Sequence, residues 1–251
     1  MTLLRQVEFR SGSGTVRGVL HGSHSACGPG VLIIPGFADT AVGPHNMHVH
    51  LARKLAERGF TVLRFDYRGQ GESDGEFQSF TVSSGFADAQ AALRYLIDVE
   101  QVDSGRLGIV GYSLGGAYGI ELAKQFPGIQ GLALLAPVVR IASVFRSFFQ
   151  ERHLRQAETE GWMDWLGWKV GAGFLASLDD MNPLRGMGSV LARMIVHYGL
   201  DDREVPISNS EELASFGAEL HGQAGGDHGF GSAIWVERVA ESVAERFQTW
   251  L

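Results

Sequence analysis

The sequence predicts an α/β fold: a mostly parallel central sheet with helices on both faces. Three observations carry this. Short apolar runs alternate with longer runs of helical apolar spacing. Turn residues punctuate nearly every junction between them. The segment Gly111-Tyr112-Ser113-Leu114-Gly115-Gly116 stands between a strand-like and a helix-like run. A sharp strand-to-helix step of that kind belongs in a parallel sheet.

Taken in order, Leu3 to Phe9 and Thr15 to His21 read as paired strands around Ser11-Gly12-Ser13-Gly14. Val31 to Ile34 is all apolar, as a strand buried on both faces should be, and Pro35 ends it. Met47 to Arg58 carries apolar residues at Met47, Leu51 and Leu55, one helix face, and Gly59 closes it. Thr61 to Phe65 is the next strand, followed by the turn-rich loop Asp66 to Gly75. Val82 to Val99 reads as a helix, Arg106 to Val110 as a strand, Leu114 to Phe126 as a helix and Gly131 to Leu135 as a strand. Leu191 to His197 and Ala218 to His221 are later strands; Ser208 to Ser215 and Ala233 to Trp250 are later helices. Between them, Val138 to Val190 breaks the alternation and carries Phe145, Phe148, Phe149, Trp162, Trp165, Trp168 and Phe174. We read residues 138–190 as a helical cap insertion, with residues 1–137 and 191–251 forming the core. The three tryptophans recur at near-helical spacing. They would pin the cap to the body, and some of these aromatics would line an acyl pocket, for which Phe145, Phe149, Trp162 and Trp165 are the candidates.

Composition bounds the function. At 251 residues, with 45% hydrophobic and 20% charged residues, the chain suits one α/β domain with a core that needs no disulfide. Its single cysteine, Cys27, sits in the turn-like Ala26-Cys27-Gly28-Pro29 and reads as an inert loop residue. A net charge of −7 and the absence of Lys/Arg runs argue against nucleic acid as a partner. No apolar run approaches the roughly 18 residues of a membrane span. The first residues do not read as a signal peptide, and a cytoplasmic location is expected.

The chemistry concentrates in three places. Ser113 between small residues at a strand-to-helix turn has the form of a nucleophile elbow, which presents the hydroxyl at a helix N-terminus. A serine hydroxyl needs a base to take its proton and an acid to orient that base. His228, in Gly225-Gly-Asp-His-Gly-Phe230, and Asp202, in Gly199-Leu-Asp-Asp-Arg-Glu-Val-Pro206, follow in the order Ser, Asp, His that such an elbow requires. Asp201 competes with Asp202, and the D-x-x-V-P spacing favours Asp202. Asp227 reads as structural.

These residues, with Pro35-Gly-Phe37 and Phe65-Asp-Tyr-Arg-Gly-Gln-Gly-Glu-Ser-Asp-Gly-Glu76, carry a resemblance over nearly the whole chain. It resembles the α/β-hydrolase superfamily, and within it the cinnamoyl/feruloyl esterase-like members of the serine aminopeptidase/lysophospholipase-like group. The resemblance implies a Ser113–Asp202–His228 triad and an oxyanion hole made by the backbone N–H groups of Phe37 and Leu114. The family usually has His-Gly where this chain has Pro35-Gly36. It implies a carboxylesterase acting on a small-molecule ester, with no cofactor and no metal. Thioesterase, lysophospholipase and serine peptidase use the same machinery, and a non-catalytic binding protein on this scaffold is the reading from a different class. Serine at the elbow disfavours a dehalogenase, which needs aspartate there, and a dienelactone hydrolase, which usually has cysteine.

Other polar residues take plainer readings. His45, His48 and His50 do not share one helix face and read as structural, not as metal ligands. His21 and His24 read as surface residues and His197 as a core or loop histidine. Asp66 and Arg68 are expected to organise their loop through local ion pairing.

Overall fold

The computed structural model describes residues 4–22 and 27–251. Leu3, His24 and Ala26, which figure in the expectations above, lie outside the described residues.

The chain opens with β1 (Leu4–Ser11) and β2 (Gly14–His21), an antiparallel hairpin. Then come β3 (Gly30–Ile34), α1 (Met47–Glu57), β4 (Thr61–Phe65), α2 (Val82–Asp98), β5 (Leu107–Tyr112), α3 (Leu114–Gln125) and β6 (Ile129–Leu135). An insertion follows, with α4 (Ile141–Phe148), α5 (Glu151–Glu160), β7 (Trp162–Trp165), β8 (Trp168–Gly171) and α6 (Ala172–Ala176). The chain returns through β9 (Arg193–Gly199), α7 (Ser208–Glu211), β10 (Glu219–Gln223) and α8 (Ala233–Trp250).

Among the described residues eight strands form one sheet in the order β1-β2-β4-β3-β5-β6-β9-β10, parallel from β4 onward. β3 and β4 are buried along their whole length, because helices cover both faces. On one face Met47, Leu51 and Leu55 of α1 pack with Val239, Val243 and Phe247 of α8 against Val31, Ile33 and Val62. On the other, Ala89, Leu93 and Leu96 of α2 and Ile120 of α3 pack against Leu32, Leu63 and Ile109. Thr81 caps α2: its hydroxyl accepts the Ser84 N–H at 3.0 Å, while the Ser84 hydroxyl accepts the Thr81 N–H at 2.8 Å.

The insertion corrects one expectation. Trp162, Trp165 and Trp168 do not lie on a helix but on the β7–β8 hairpin, where Trp165 pairs with Trp168 across the loop Leu166-Gly167. Both loop residues have positive φ, 52° and 85°, which gives the tight twisted turn that hairpins use. Strand parity then separates the tryptophans. Trp165 and Trp168 share a face with buried Met163 and Val170, whereas Trp162 is on the opposite face with the Lys169 ammonium 4.9 Å from its ring centroid.

A second correction concerns the loop after β4. Arg68 pairs not with Asp66 but with Asp88 of α2, at 2.7 Å. Asp66 instead accepts the backbone N–H groups of Ala41 and Glu72, at 2.6 and 3.1 Å, and burial pushes its pKa up. His21 is not a surface residue. It is buried and accepts the Arg64 guanidinium N–H at 2.9 Å, and burial, with Arg64 adding to it, lowers its pKa to about 4.

His197 is buried beside its register partner His221, with ring centroids 4.9 Å apart, and burial lowers its pKa to about 3. The unfolded chain therefore takes up a proton near the ordinary 6.5 that the folded chain refuses until about 3. This contribution to stability is complete above 6.5 and is lost progressively as pH falls toward 3. Urea unfolding from pH 7.5 to 4 should show stability dropping with acidification. His197→Phe should flatten that slope by up to about one proton, with the His21 contribution left in place.

Candidate active site

The carboxyl ends of β3, β5, β9 and β10 meet on one edge of the sheet, where open α/β sheets place their ligand sites. β5 runs straight into α3 through Ser113, whose backbone sits at φ 53°, ψ −117°. This is a sparsely populated conformation for a residue with a Cβ. Its own peptides hold it. The Ser113 N–H donates to the Leu135 carbonyl at 2.9 Å, and the Ser113 carbonyl accepts from Gly116 and Val138, each at 3.0 Å. The turn also demands a close approach. A Cβ on Gly115 would lie 2.3 Å from the Ile34 carbonyl oxygen, and one on Gly111 2.5 Å from that of Gly115. The small residues flanking the serine are thus explained by contact with backbone that cannot yield.

The two later residues close on this serine. His228 Nε2 is 3.1 Å from Ser113 Oγ, and His228 Nδ1 is 2.7 Å from Asp202 Oδ2. A carboxylate can only accept, so Nδ1 carries the proton and Nε2 presents its lone pair to the hydroxyl. Asp202 is itself fixed: its Oδ1 accepts the N–H groups of Glu204 and Val205, at 2.8 and 2.9 Å. Asp201 is exposed, and its N–H donates to Gly226 at 2.9 Å. Asp227 accepts the Gly231 N–H at 2.7 Å and stays away from the serine. Side-chain exposures of 7% for His228 and 3% for Asp202 keep this relay largely out of water.

The loop after β3 lies against the elbow. Among the described residues, the Phe37 and Leu114 N–H groups donate to no protein acceptor. The Phe37 ring turns inward. It stacks on Phe174 at 4.4 Å and meets Phe145 at 5.0 Å, Phe77 at 5.2 Å and Trp165 at 5.5 Å.

A cleft of about 250 Å³ opens over Ser113 and His228, walled by Phe37, Phe145, Phe148, Trp165 and Trp168. Of the four aromatics expected to line an acyl pocket, Phe145 and Trp165 face it. Trp162 does not, for the parity reason above. Phe149 is 6% exposed and packs edge-on against Trp165 and Phe174, behind the wall. Phe148 and Trp168 complete the lining. Asp39 and Glu204 also border the cleft. Glu204 carries a sequence signal, since it stands two residues after Asp202 on the same turn. Three larger surface hollows, of about 620, 740 and 470 Å³, contain neither Ser113 nor His228. His45 and His50 border the first of these, while His48 is fully buried. Among the described residues no three His, Cys, Asp or Glu side chains are grouped to hold a metal ion. None of the described helices is long and apolar enough to cross a membrane.

The sheet order, its helical layers and the elbow define an α/β hydrolase, and comparison with known proteins narrows the class. The model of Hydrolase_4, described as serine aminopeptidase, S33, matches residues 29–174, and the chain belongs to that family. An uncharacterised protein of Mycobacterium tuberculosis is 32% identical over 192 residues, which is 76% of this chain and 59% of that relative, so the match spans less than two thirds of the relative's length. Among solved structures, Est1E from Butyrivibrio proteoclasticus with ferulic acid bound superposes with a TM-score of 0.83 at 20% identity, covering 97% of this chain and 98% of that one. Mouse alpha/beta hydrolase domain-containing protein 10 gives 0.77 at 20% identity, covering 98% and 99%. At those identities the likeness is one of fold.

The elbow contact yields a test. Gly115→Ala should destabilise the protein by about 2–4 kcal/mol, since only backbone surrounds the added methyl. Gly119→Ala, one turn further along α3, meets a side-chain methyl of Ile109 at 3.0 Å, a contact that a shift of a few tenths of an ångström relieves, and should change stability by less than about 1 kcal/mol. Urea denaturation of the two variants compares them directly.

Proposed function

We propose that the chain is a serine carboxylesterase that works through an acyl-enzyme on Ser113. The observation that carries this reading is the unbroken relay Ser113–His228–Asp202, at 3.1 and 2.7 Å, anchored on a strained elbow. As Ser113 Oγ attacks the ester carbonyl, His228 Nε2 takes its proton, and Asp202 stabilises the imidazolium and keeps its tautomer. The tetrahedral oxyanion is held by the N–H groups of Phe37 and Leu114. Each such donor is worth about 3 kcal/mol in the transition state. His228 then protonates the departing alcohol, and the same histidine activates the water that releases the acid.

Residues 138–190 serve as the cap, and its aromatics with Phe37 form the acyl wall. Flat rings in a compact cleft suit short or aryl acyl groups, cinnamoyl-type esters among them. That Est1E was solved with ferulic acid supports including hydroxycinnamates in the panel. The family description favours one second reading, a serine peptidase releasing an aminoacyl group. A panel of p-nitrophenyl esters of rising chain length, hydroxycinnamate esters, acyl-CoA thioesters and aminoacyl amides separates these readings. The substrate is a small molecule met in the cytoplasm, and the reaction as read uses no cofactor.

Ser113→Ala should abolish p-nitrophenyl ester turnover while the fold, followed by circular dichroism, is retained; undiminished turnover would sink the assignment. Failure of a fluorophosphonate probe to label Ser113 would point instead to a binding protein. Asp202→Asn should lower kcat by about 10⁴-fold, because the amide favours the wrong imidazole tautomer. Asp201→Asn should leave kcat within about twofold, and comparable losses in the two variants would overturn the choice of acid.

A further inference from the structure

His48 is a buried histidine that the mechanism above does not use. Its side chain is fully buried at the second position of α1. Its Nδ1 lies 3.2 Å from the Thr40 carbonyl oxygen. A carbonyl can only accept, so Nδ1 carries the proton. Nε2 has no hydrogen-bond partner and faces Asp39 Oδ2 at 3.8 Å. Burial lowers the pKa and keeps the ring neutral, with Asp39 opposing the shift.

The position looks costly for a packing residue. A leucine or phenylalanine would fill the same space without burying a lone pair that nothing satisfies. The imidazole is therefore read through the one bond it makes, and that bond is to the loop bearing the Phe37 N–H. This loop is gripped by carbonyls. The Tyr67 hydroxyl donates to the Pro35 carbonyl at 2.9 Å, His48 to Thr40, and the Arg64 guanidinium to the Ala41 carbonyl at 3.0 Å. Within it, the Gly36 N–H donates to Asp39 Oδ2 at 3.4 Å, and Ala38 takes a positive φ of 55°. His48 differs from the other two grips because it also touches the elbow. Its ring meets the Tyr112 ring edge-on, with centroids 5.8 Å apart, and Tyr112 precedes Ser113 and lies 5.3 Å from the His228 ring. The loop in turn wraps the imidazole: a Cβ on Gly43, whose φ is 73°, would lie 2.5 Å from His48 Cγ.

We infer that His48 is a positioning residue, which through its Thr40 bond and its contact with Tyr112 holds the Phe37 N–H in register with the elbow so that both oxyanion donors meet one oxygen. This rests on the esterase reading above. It fits the replacement of the family's His-Gly by Pro35-Gly36, since support for the loop here comes from below, from α1. A misplaced donor weakens binding of the oxyanion and not of the ground-state ester, so the loss falls on kcat and not on KM.

The test uses three variants of the full chain with p-nitrophenyl butyrate as substrate and phenylboronic acid as a tetrahedral mimic. His48→Leu keeps volume and loses the bond. His48→Asn places an amide N–H where Nδ1 was. His48→Gln places it where Nε2 was. The expected result is a kcat about 10- to 30-fold lower for Leu and Gln, KM within about twofold, and boronate affinity falling in step with kcat. Asn should recover most of kcat. If Leu does not fold, the Asn and Gln pair decides the matter. Wild-type kcat and boronate affinity in Leu or Gln, or equal losses in Asn and Gln, would overturn the inference. So would a loss confined to melting temperature. These outcomes stay separate from the esterase reading, which fails only if wild-type turnover is absent or survives Ser113→Ala.

Discussion

The site depends on how closely the N-terminus of α3 packs onto the end of β3. Gly115 lies so near the Ile34 and Pro35 carbonyls that any side chain would enter them, at 2.3 and 2.6 Å. That contact fixes where the helix begins, and so where Ser113 and the Leu114 N–H point. It equally fixes the chain that continues from Pro35 to Phe37. Two N–H groups with no protein acceptor among the described residues, those of Phe37 and Leu114, thus follow this contact on segments far apart in sequence. The strained backbone of Ser113, worth about 1–3 kcal/mol, persists because three hydrogen bonds to its own peptide groups and the contacts of the following turn over-determine it. Asp202 and His228 reach this fixed point from the loops after β9 and β10. Their loops are tied to each other, Leu200 N–H to Gln223 and Asp201 N–H to Gly226, both at 2.9 Å.

Phe37 joins this rigid edge to the insertion. It borders the cleft, and its ring sits among Phe77 and Phe80 from the core and Phe145, Trp165 and Phe174 from the insertion. Each well-placed aromatic pair adds about 0.5–1.5 kcal/mol beyond area burial. Pinning the insertion and walling the cleft are therefore tasks of the same rings. A change in the wall will be felt at the loop that carries the Phe37 N–H.

Much of this was legible in the sequence because its demands are local. The elbow requires small residues at fixed offsets from Ser113, and the parallel sheet requires all-apolar strands such as Val31 to Ile34. Asp202 and His228 could be read because each follows a strand and keeps the order the elbow imposes. The hairpin was not legible, for two reasons. Its turn is Leu166-Gly167, without the Asn or Asp that usually announces positive φ, and tryptophans three apart imitate a helix face. Trp162 follows from the same cause, since helical spacing puts it with Trp165 and strand parity puts it opposite. The partner of Arg68 was hidden for another reason: Asp88 is twenty residues away on α2, and only the packing of that helix brings it to 2.7 Å. His21 reads as a surface residue because it ends the outer hairpin, and nothing local marks that Arg64, far along the chain on β4, pairs with it.

The hydrogen-bonded relay and the wall of the cleft rest on different kinds of contact in this molecule. The relay is built from directional bonds. One oxygen of Asp202 is committed to backbone N–H groups and the other to His228, so the carboxylate cannot turn without breaking one set. The insertion joins the body mainly through apolar surface. A few polar ties mark its edges: the Val82 N–H to the Ser177 hydroxyl at 3.0 Å, Ser83 to Asp180 at 2.8 Å, and Asn209 Oδ1 accepting from Val139 and Arg140 at 3.0 Å. Apolar contacts depend on area and shape and not on angle, so side chains there can be exchanged while the bonds beneath hold their geometry. Phe148, stacked on Trp165, and Trp168, tilted against Phe77, can thus be exchanged with little effect on Ser113, whereas Phe145 and Trp165 meet the Phe37 ring directly. Phe37 stands apart, because its ring belongs to the wall while its N–H, like that of Leu114, meets no protein acceptor among the described residues.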